Sequence, residues 1–344
     1  METLLLRDNK NDIEKAGEIL RGGGLVGIPT ETVYGLAANA LDSEAVAAIF
    51  KAKGRPADNP LIVHIADIGD IERFGLASDF PDKARLLAEK FWSGPLTIIV
   101  PKGRSIPDEV SAGLDTVAIR FPDHKTAQRI IKAAGVPLAA PSANLSGSPS
   151  PTTAAHVMND MNGRIDAVVD GGECSVGLES TVISLACEPA RLLRPGGITV
   201  SDIESVIGRI EVDDAVLHQL KKGERAASPG MKYKHYAPKA KVVLLKGKSA
   251  DYISYVNSRK ADDTAALCYD EDMNSVELKC FSLGKSGDYS SQAHRLFSSL
   301  REIDRDESVK LVYARCPSPE GVGMAVYNRL VRAAGFEVID LEKL

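Results

Sequence analysis

The chain has 344 residues, carries a net charge of −5 and is 44% hydrophobic, 26% charged and 5% aromatic. At about 100–200 residues per domain it divides more naturally into two domains than one, and its composition excludes a disordered chain, a collagen and a coiled coil. Residues 1–210 hold 21 basic and 27 acidic side chains, and 239–344 are balanced, so no region has the basic excess that dominant phosphate-backbone binding needs.

The N-terminus, Met-Glu-Thr-Leu-Leu-Leu-Arg-Asp, lacks a basic start and a long apolar stretch, so no secretory signal is expected and a cytoplasmic location follows. The longest apolar runs, such as Leu96–Val100, fall far short of the roughly 18 residues of a membrane span. The five cysteines (174, 187, 268, 280, 316) contain no C-x-x-C pair, which predicts reduced thiols. The six histidines show no metal-ligand spacing, and no protein-only metal site is expected.

The periodicity predicts a first helix over 12–20, ended by Gly22–Gly24, then a strand at Leu25–Ile28. A helix at Ser43–Lys53 is capped by Asp42 or Ser43, and Leu61–Ile65 reads as a strand. A helix over Pro81–Trp92 precedes strands at Leu96–Val100 and Val117–Phe121. Asp123 is expected to cap a helix that stops at Gly135, followed by a strand at Leu138–Ala140 and a helix from Thr152, its cap, to Met161. Strands at Ala167–Val169, Thr181–Leu185 and Arg191–Leu193 and a short helix at Ser201–Gly208 close the first block.

A polar connection, 211–238, follows. Its second half, Ser-Pro-Gly-Met-Lys-Tyr-Lys-His-Tyr-Ala-Pro, argues against regular structure, yet is too rich in Lys, His and Tyr for a passive linker. The tail alternates strands (242–245, 264–268, 276–281, 309–314, 336–339) with helices (250–260, 290–301, 321–334), which suggests a small parallel sheet.

Gly22–Gly27 matches G-x-G-x-x-G formally, but these glycines follow a helix and open a strand, the reverse of a dinucleotide site. No P-loop and no nucleophile elbow occurs. Four polar segments sit at strand ends, where α/β proteins place their chemistry: Pro29–Gly35, Lys51–Pro60, Ala140–Gly147 with Ser150-Pro-Thr-Thr, and Gly177–Val182 with Leu193–Gly197. Each has a plain reading by itself: a polar turn, a helix C-terminus favoured by the dipole, an Asx/Ser turn, a tight turn. Lys53 and Arg55, spaced by glycine, could also grip a polyphosphate, and Ser142 and Asn144 would project to one side of an extended segment. With no nucleophile constellation, the set suits a reaction driven by positioning and charge stabilisation.

Together the motifs resemble the YrdC-like family: Pro-Thr-Glu-Thr-Val-Tyr-Gly-Leu at 29–36, Lys-Gly-Arg-Pro at 53–56, Asn-Pro-Leu at 59–61, Pro-Ser-Ala-Asn-Leu-Ser-Gly at 141–147 and Glu-Ser-Thr-Val at 179–182. The linker motif and α/β tail resemble the family's long form, so the likeness covers essentially the whole chain. It implies an α/β fold: a YrdC-like twisted open-sheet domain (1–210), the linker (211–238) and a smaller Rossmann-like domain (239–344). It also implies an enzyme of nucleotidyl transfer, in which L-threonine, bicarbonate and ATP give L-threonylcarbamoyladenylate and pyrophosphate. The product would pass to a separate complex that modifies tRNA, with at most a weak tRNA contact by this chain and no membrane contact.

By the same resemblance Lys53, Arg55, Ser142 and Asn144 carry the catalytic signature. Thr32, His64, Arg120, Ala140 and Ser180 would hold threonine. Arg55, Asn59, Thr116, Ser142, Ser150, Arg194 and Tyr236, or in its place Tyr233, would line the ATP site. Mg²⁺ would enter on ATP oxygens. The chain departs from the family's pattern at Ser148, where many relatives carry Arg or Lys, a difference that bears on a secondary phosphate contact and not on the reaction. Taken alone, Arg120 reads as a strand-end surface charge and His64 as a structural histidine. Two other readings compete. One is an RNA-binding or ribosome-maturation module, against which the acidic first block argues. The other is a carbamoyl-transfer enzyme like the hydrogenase-maturation relatives, whose zinc-finger-like and acylphosphatase-like segments are absent from this sequence.

Overall fold

The computed structural model describes residues 2–218 and 236–344. They divide into two compact units, one of residues 2–146, 150–175 and 179–218, the other of 147–149, 176–178 and 236–344.

The first unit is built on an eleven-stranded mixed sheet. Its strands in chain order are β1 (Leu4–Arg7), β2 (Val26–Ile28), β3 (Gly35–Asn39), β4 (Ile62–His64), β5 (Leu96–Pro101), β6 (Thr116–Arg120), β7 (Leu138–Ala139), β8 (Ala167–Asp170), β9 (Thr181–Ser184), β10 (Arg191–Arg194) and β11 (Glu211–Val212). In space they run β1-β8-β2-β3-β7-β4-β6-β5-β9-β10-β11. The helices are α1 (Lys10–Arg21), α2 (Ser43–Lys53), α3 (Asp70–Arg73), α4 (Asp82–Phe91), α5 (Asp108–Ser111), α6 (Lys125–Ala134), α7 (Ala154–Met161) and α8 (Val200–Ile207).

The central strands explain where the core lies. Val63 of β4 pairs with Ile119 of β6, Ile119 with Ile98 of β5, Ile98 with Ile183 of β9, and Ile183 with Leu192 of β10. Paired residues point to the same face of a sheet, and all five belong to the unit's largest apolar cluster. That cluster is completed by helix residues such as Val46, Ile49 and Leu87, spaced to bury one face of α2 and of α4.

Several expectations are corrected. His124, not Asp123, is the N-cap of α6 and makes no side-chain cap bond; the Asp123 carboxylate accepts from Ser93 Oγ at 3.1 Å instead. Thr153, not Thr152, caps α7 through the N–H of His156. Ser142 and Asn144 do not lie on an extended strand: β7 ends at Ala139, and Ser142 makes only an isolated bridge to Gly35. Asp42 supplies the α2 cap, accepting from the N–H groups of Glu44 and Ala45. β1 and β3 carry no predicted counterpart, since β1 is mostly exposed and β3 follows directly on a polar turn. The predicted connection begins inside the first sheet, because β11 pairs with β10. Most of its Ser228–Pro238 motif, including Tyr233, lies outside the described residues.

The second unit holds β12 (Lys241–Lys246), β13 (Thr264–Cys268), β14 (Lys279–Ser282), β15 (Leu311–Arg315) and β16 (Val338–Asp340), all parallel, in the order β14-β13-β15-β12-β16. Helices α9 (Ser249–Asn257), α10 (Tyr289–Arg305) and α11 (Gly323–Ala333) alternate with them. β13 is buried at every position, as a central parallel strand covered on both faces requires. The strand predicted at 276–281 shifts to 279–282, and the helix predicted over 290–301 runs on to Arg305.

Candidate active site

One residue out of register from the core row, the same five strands carry a different row. His64 pairs with Arg120, Arg120 with Thr97, Thr97 with Val182, and Val182 with Arg194. These residues share the opposite face, beside a small apolar cluster of Ile62, Ile99, Ala118, Val182, Leu193 and Ala215. Two arginines and a histidine thus occupy a buried sheet face on which only apolar side chains are ordinary.

Each is held differently. The Arg120 guanidinium lies 2.6 Å from a Glu31 carboxylate oxygen, and both side chains are almost wholly buried. Arg194 donates through Nε to the Ser180 carbonyl and through Nη2 to the Ser180 hydroxyl, each at 3.0 Å. The Ser180 hydroxyl is also 2.7 Å from Thr97 Oγ1. His64 Nδ1 lies 3.1 Å from the Ile62 carbonyl oxygen. Burial, reinforced by the Arg120 charge, pushes the imidazole down to about 3, so it is neutral at physiological pH.

A β-bulge brings Arg194 to this face. Leu192 meets Ile183, but the next pairing is Arg194 with Val182, so β10 carries one extra residue. Strict alternation would have turned Arg194 towards the core. Beyond it, a Cβ at Gly196 would stand 2.3 Å from the Thr181 amide nitrogen, so only glycine lets this loop close against the start of β9.

The signature lysine and arginine flank the end of α2. Gly54 takes the left-handed conformation (φ 61°) at the C-cap and turns the chain between them. Lys53 is 3% exposed and donates to the carbonyls of Ser142 (2.5 Å) and Asn144 (2.6 Å), fixing the turn on which both signature residues sit. Asn144 Nδ2 donates to the Leu145 carbonyl. Arg55 Nη2 donates to the Asn59 carbonyl at 3.1 Å. The Asn59 side chain is 1% exposed, and neither its amide nitrogen nor its oxygen has a hydrogen-bond partner.

Thr32 is fully buried, 2.8 Å from Thr30 by their hydroxyls. Ala140 donates its N–H to the Ile62 carbonyl, beside β4. Thr116, at the start of β6, is half-buried on the same face as Arg120. Ser150 is buried and donates to a Glu179 carboxylate oxygen at 2.5 Å. Tyr236 belongs to the second unit, where its ring packs on Phe297 with centroids 5.3 Å apart and the Arg329 guanidinium lies 5.9 Å from its centre.

Three residues in contact with the candidate side chains are missed by sequence reasoning: Glu31 on Arg120, Thr97 on Ser180 and Glu179 on Ser150. Glu31 and Glu179 stand inside the family motifs, and a charged residue there is the available signal. Thr97 breaks the apolar run of β5, a hint that its face differs from that of Ile98.

The chain is similar to known proteins over nearly its whole length. The Sua5/YciO/YrdC family model, described as "Telomere recombination", matches residues 18–196, and a model described as the C-terminal domain of threonylcarbamoyl-AMP synthase matches 198–335. The chain is 45% identical to the threonylcarbamoyl-AMP synthase of Pyrococcus abyssi over 338 residues, 96% of each chain. It is 45% identical to that of Bacillus subtilis over 339 residues, 97% of this chain and 96% of the other. The crystal structure of P. abyssi Sua5 complexed with L-threonine superposes with a TM-score of 0.90 and 42% identity, covering 99% of both.

Proposed function

The chain belongs to the threonylcarbamoyl-AMP synthase family, and from that premise we propose that it makes L-threonylcarbamoyladenylate and pyrophosphate from L-threonine, bicarbonate and ATP. It is a transferase of tRNA modification. The observation that carries the reading is the full-length match to a relative whose crystal structure holds L-threonine. Neither the RNA-module nor the hydrogenase-maturation alternative finds comparable support.

Threonine would lie on the polar face. Arg120 takes its carboxylate through a planar, two-pronged donor, with Thr32, neutral His64, the Ala140 backbone and Ser180 around it. The nucleotide would be lined by Arg55, Asn59, Thr116, Ser142, Ser150 and Arg194, and the unpartnered Asn59 amide supports a polar ligand there. Arg194 and Ser180 are bonded to each other, so the nucleotide and threonine subsites share a rigid wall.

The chemistry joins two anions. The carbamate of threonine attacks the ATP α-phosphorus, and pyrophosphate leaves. Lys53 and Arg55 bring positive charge to that encounter, and Lys53 also holds the backbone of Ser142 and Asn144 in place. Among the described residues no three His, Cys, Asp or Glu side chains come together to hold a metal, and in this reading Mg²⁺ enters with ATP. Tyr236, whose ring packs on Phe297 within its own unit, would also line the nucleotide. The product would pass to a separate tRNA-modifying complex in the cytoplasm. Among the described residues no helix is long and apolar enough to cross a membrane.

The test is to mix the protein with ATP, Mg²⁺, bicarbonate and L-threonine and to follow pyrophosphate and the adenylate mass. Pyrophosphate that depends on both threonine and bicarbonate, with that mass, is expected. ATP binding without product would move the assignment to another acceptor, and no ATP binding would favour the RNA module.

A further inference from the structure

The Glu31–Arg120 pair is an unusual thing to bury. The contact is 2.6 Å, and the two side chains are 6% and 4% exposed. Desolvating two ions costs several kcal/mol each, which only full satisfaction of their hydrogen-bonding capacity offsets. Glu31 is not fully satisfied. Both its carboxylate oxygens are buried, and apart from the ion pair with Arg120 neither accepts a hydrogen bond. The Arg120 Nε donation to the Gly94 carbonyl is long, at 3.4 Å.

The turn that carries Glu31 is nonetheless rigid. Thr30 Oγ1 accepts from the N–H groups of Thr32 and Val33, at 3.2 Å each, so Glu31 is clamped between two fixed residues. A carboxylate that is buried, held this way and left with an oxygen that accepts no hydrogen bond is suited to receive a cation.

We propose that Glu31 binds the ammonium of the substrate while Arg120 takes its carboxylate, so that the buried pair is a receptor for an α-amino-acid zwitterion. The proposal deepens the threonine reading above and rests on it. A zwitterion brings one charge of each sign, so it adds a partner to both ions and leaves the net charge of the face unchanged. A simple carboxylic acid would satisfy Arg120 and leave Glu31 facing a neutral group.

The pairing also gives the reaction a direction. On N-carboxylation a C–N bond forms to the carbon of bicarbonate and its C–OH bond breaks. The hydroxide leaves with one ammonium proton as water, and a second proton passes to solvent. The nitrogen substituent thereby changes from cation to carbamate anion. Glu31 attracts the first and repels the second, which drives the carbamate away from the threonine subsite and towards the positive charge of Lys53 and Arg55.

The test titrates the full chain with L-threonine and with 2,3-dihydroxybutyrate, which keeps the skeleton but replaces the ammonium by a hydroxyl. The wild type is expected to favour threonine by about 10- to 100-fold, the range of one charge-assisted contact. Glu31→Gln should lose threonine affinity by a similar factor and bind the dihydroxy acid almost as the wild type does, with ATP binding retained. A purely structural role would weaken both ligands alike. Should Glu31→Gln fail to fold, Glu31→Asp keeps the charge but withdraws it by one methylene, and an intermediate loss confined to threonine is expected. Equal binding of the two ligands by the wild type, or wild-type threonine affinity in folded Glu31→Gln, overturns the proposal alone. A wild type that binds neither ligand overturns the threonine reading itself, and the proposal with it.

Discussion

The two faces of the central sheet are made by the same five strands and differ by one residue in register, or by two in β10 where the bulge lies. One face presents Val63, Ile119, Ile98, Ile183 and Leu192, and the helices pack on it. The other presents His64, Arg120, Thr97, Val182 and Arg194. The apolar packing is concentrated on the first and the proposed chemistry on the second, although both are buried. The comparison teaches that burial by itself does not mark a core. What separates the faces is whether the buried atoms can satisfy one another without a ligand. The apolar row can, while beside the polar row Glu31 and Asn59 retain buried atoms with no partner.

Substitutions on each side should therefore fail in different ways. The largest effect is expected for Lys53→Ala. It removes positive charge from the reacting anions and the two bonds that hold the Ser142–Asn144 turn. Adenylate formation should fall by about 10²–10³-fold or more, the scale for losing one preorganised donor in a buried site. Full activity in steady-state assays would end the role given to this side chain.

On the apolar face, Ile119→Ala should destabilise the fold by about 2–5 kcal/mol, the usual cost of a buried large-to-small change. The kcat/KM of the protein that remains folded should stay near wild type. Denaturant melts combined with kinetics separate the two quantities, and a catalytic loss in the folded fraction would blur the division between faces.

A third expectation concerns acid. The folded imidazole of His64 is held near 3, by burial first and by the Arg120 charge second, against about 6.5 when unfolded. Between those values the unfolded chain binds the extra proton, so acidification favours unfolding. This residue should subtract up to about 1.4 kcal/mol per pH unit as pH falls from about 6.5 towards 3. Stability measured against pH should be flatter in His64→Gln. An unchanged slope would mean that the histidine is charged in the fold.

The smallest effect is expected for Thr97→Val, which keeps the shape but removes the hydroxyl that meets Ser180. On the proposed function Thr97 would act through Ser180, as a positioning residue. A rise in the threonine KM of roughly 5- to 10-fold with little change in kcat follows from losing about 1 kcal/mol of hydrogen bonding. A change in kcat alone would place Thr97 elsewhere in the reaction.

Much of the fold is legible in the amino-acid sequence. The 3.6-residue period locates α1, α2, α4 and α6 to within a few residues, because each must bury one stripe. Short apolar runs locate β5, β6, β9 and β13 for the same reason. Gly54 announces the end of α2 because only glycine enters a left-handed cap freely. The motif loops and their order carry the family. The N-terminal limits of α6 and α7 are less legible, since Asp123 and Thr152 are as suited to capping as the neighbours that take the position.

Sequence by itself thus determined the elements and the residue types available for chemistry, since both follow from local periodicity and conformational preference. Only the tertiary structure decided which of those residues meet. Glu31 and Arg120 lie far apart in the chain, and sheet order joins them. Thr97 and Ser180 touch because β5 and β9 are neighbours. Arg194 reaches the polar face because one extra residue in β10 reverses the alternation that its sequence implies. A period-two pattern shifts face with a single inserted residue, and nothing local in the sequence records which register the partner strand will impose.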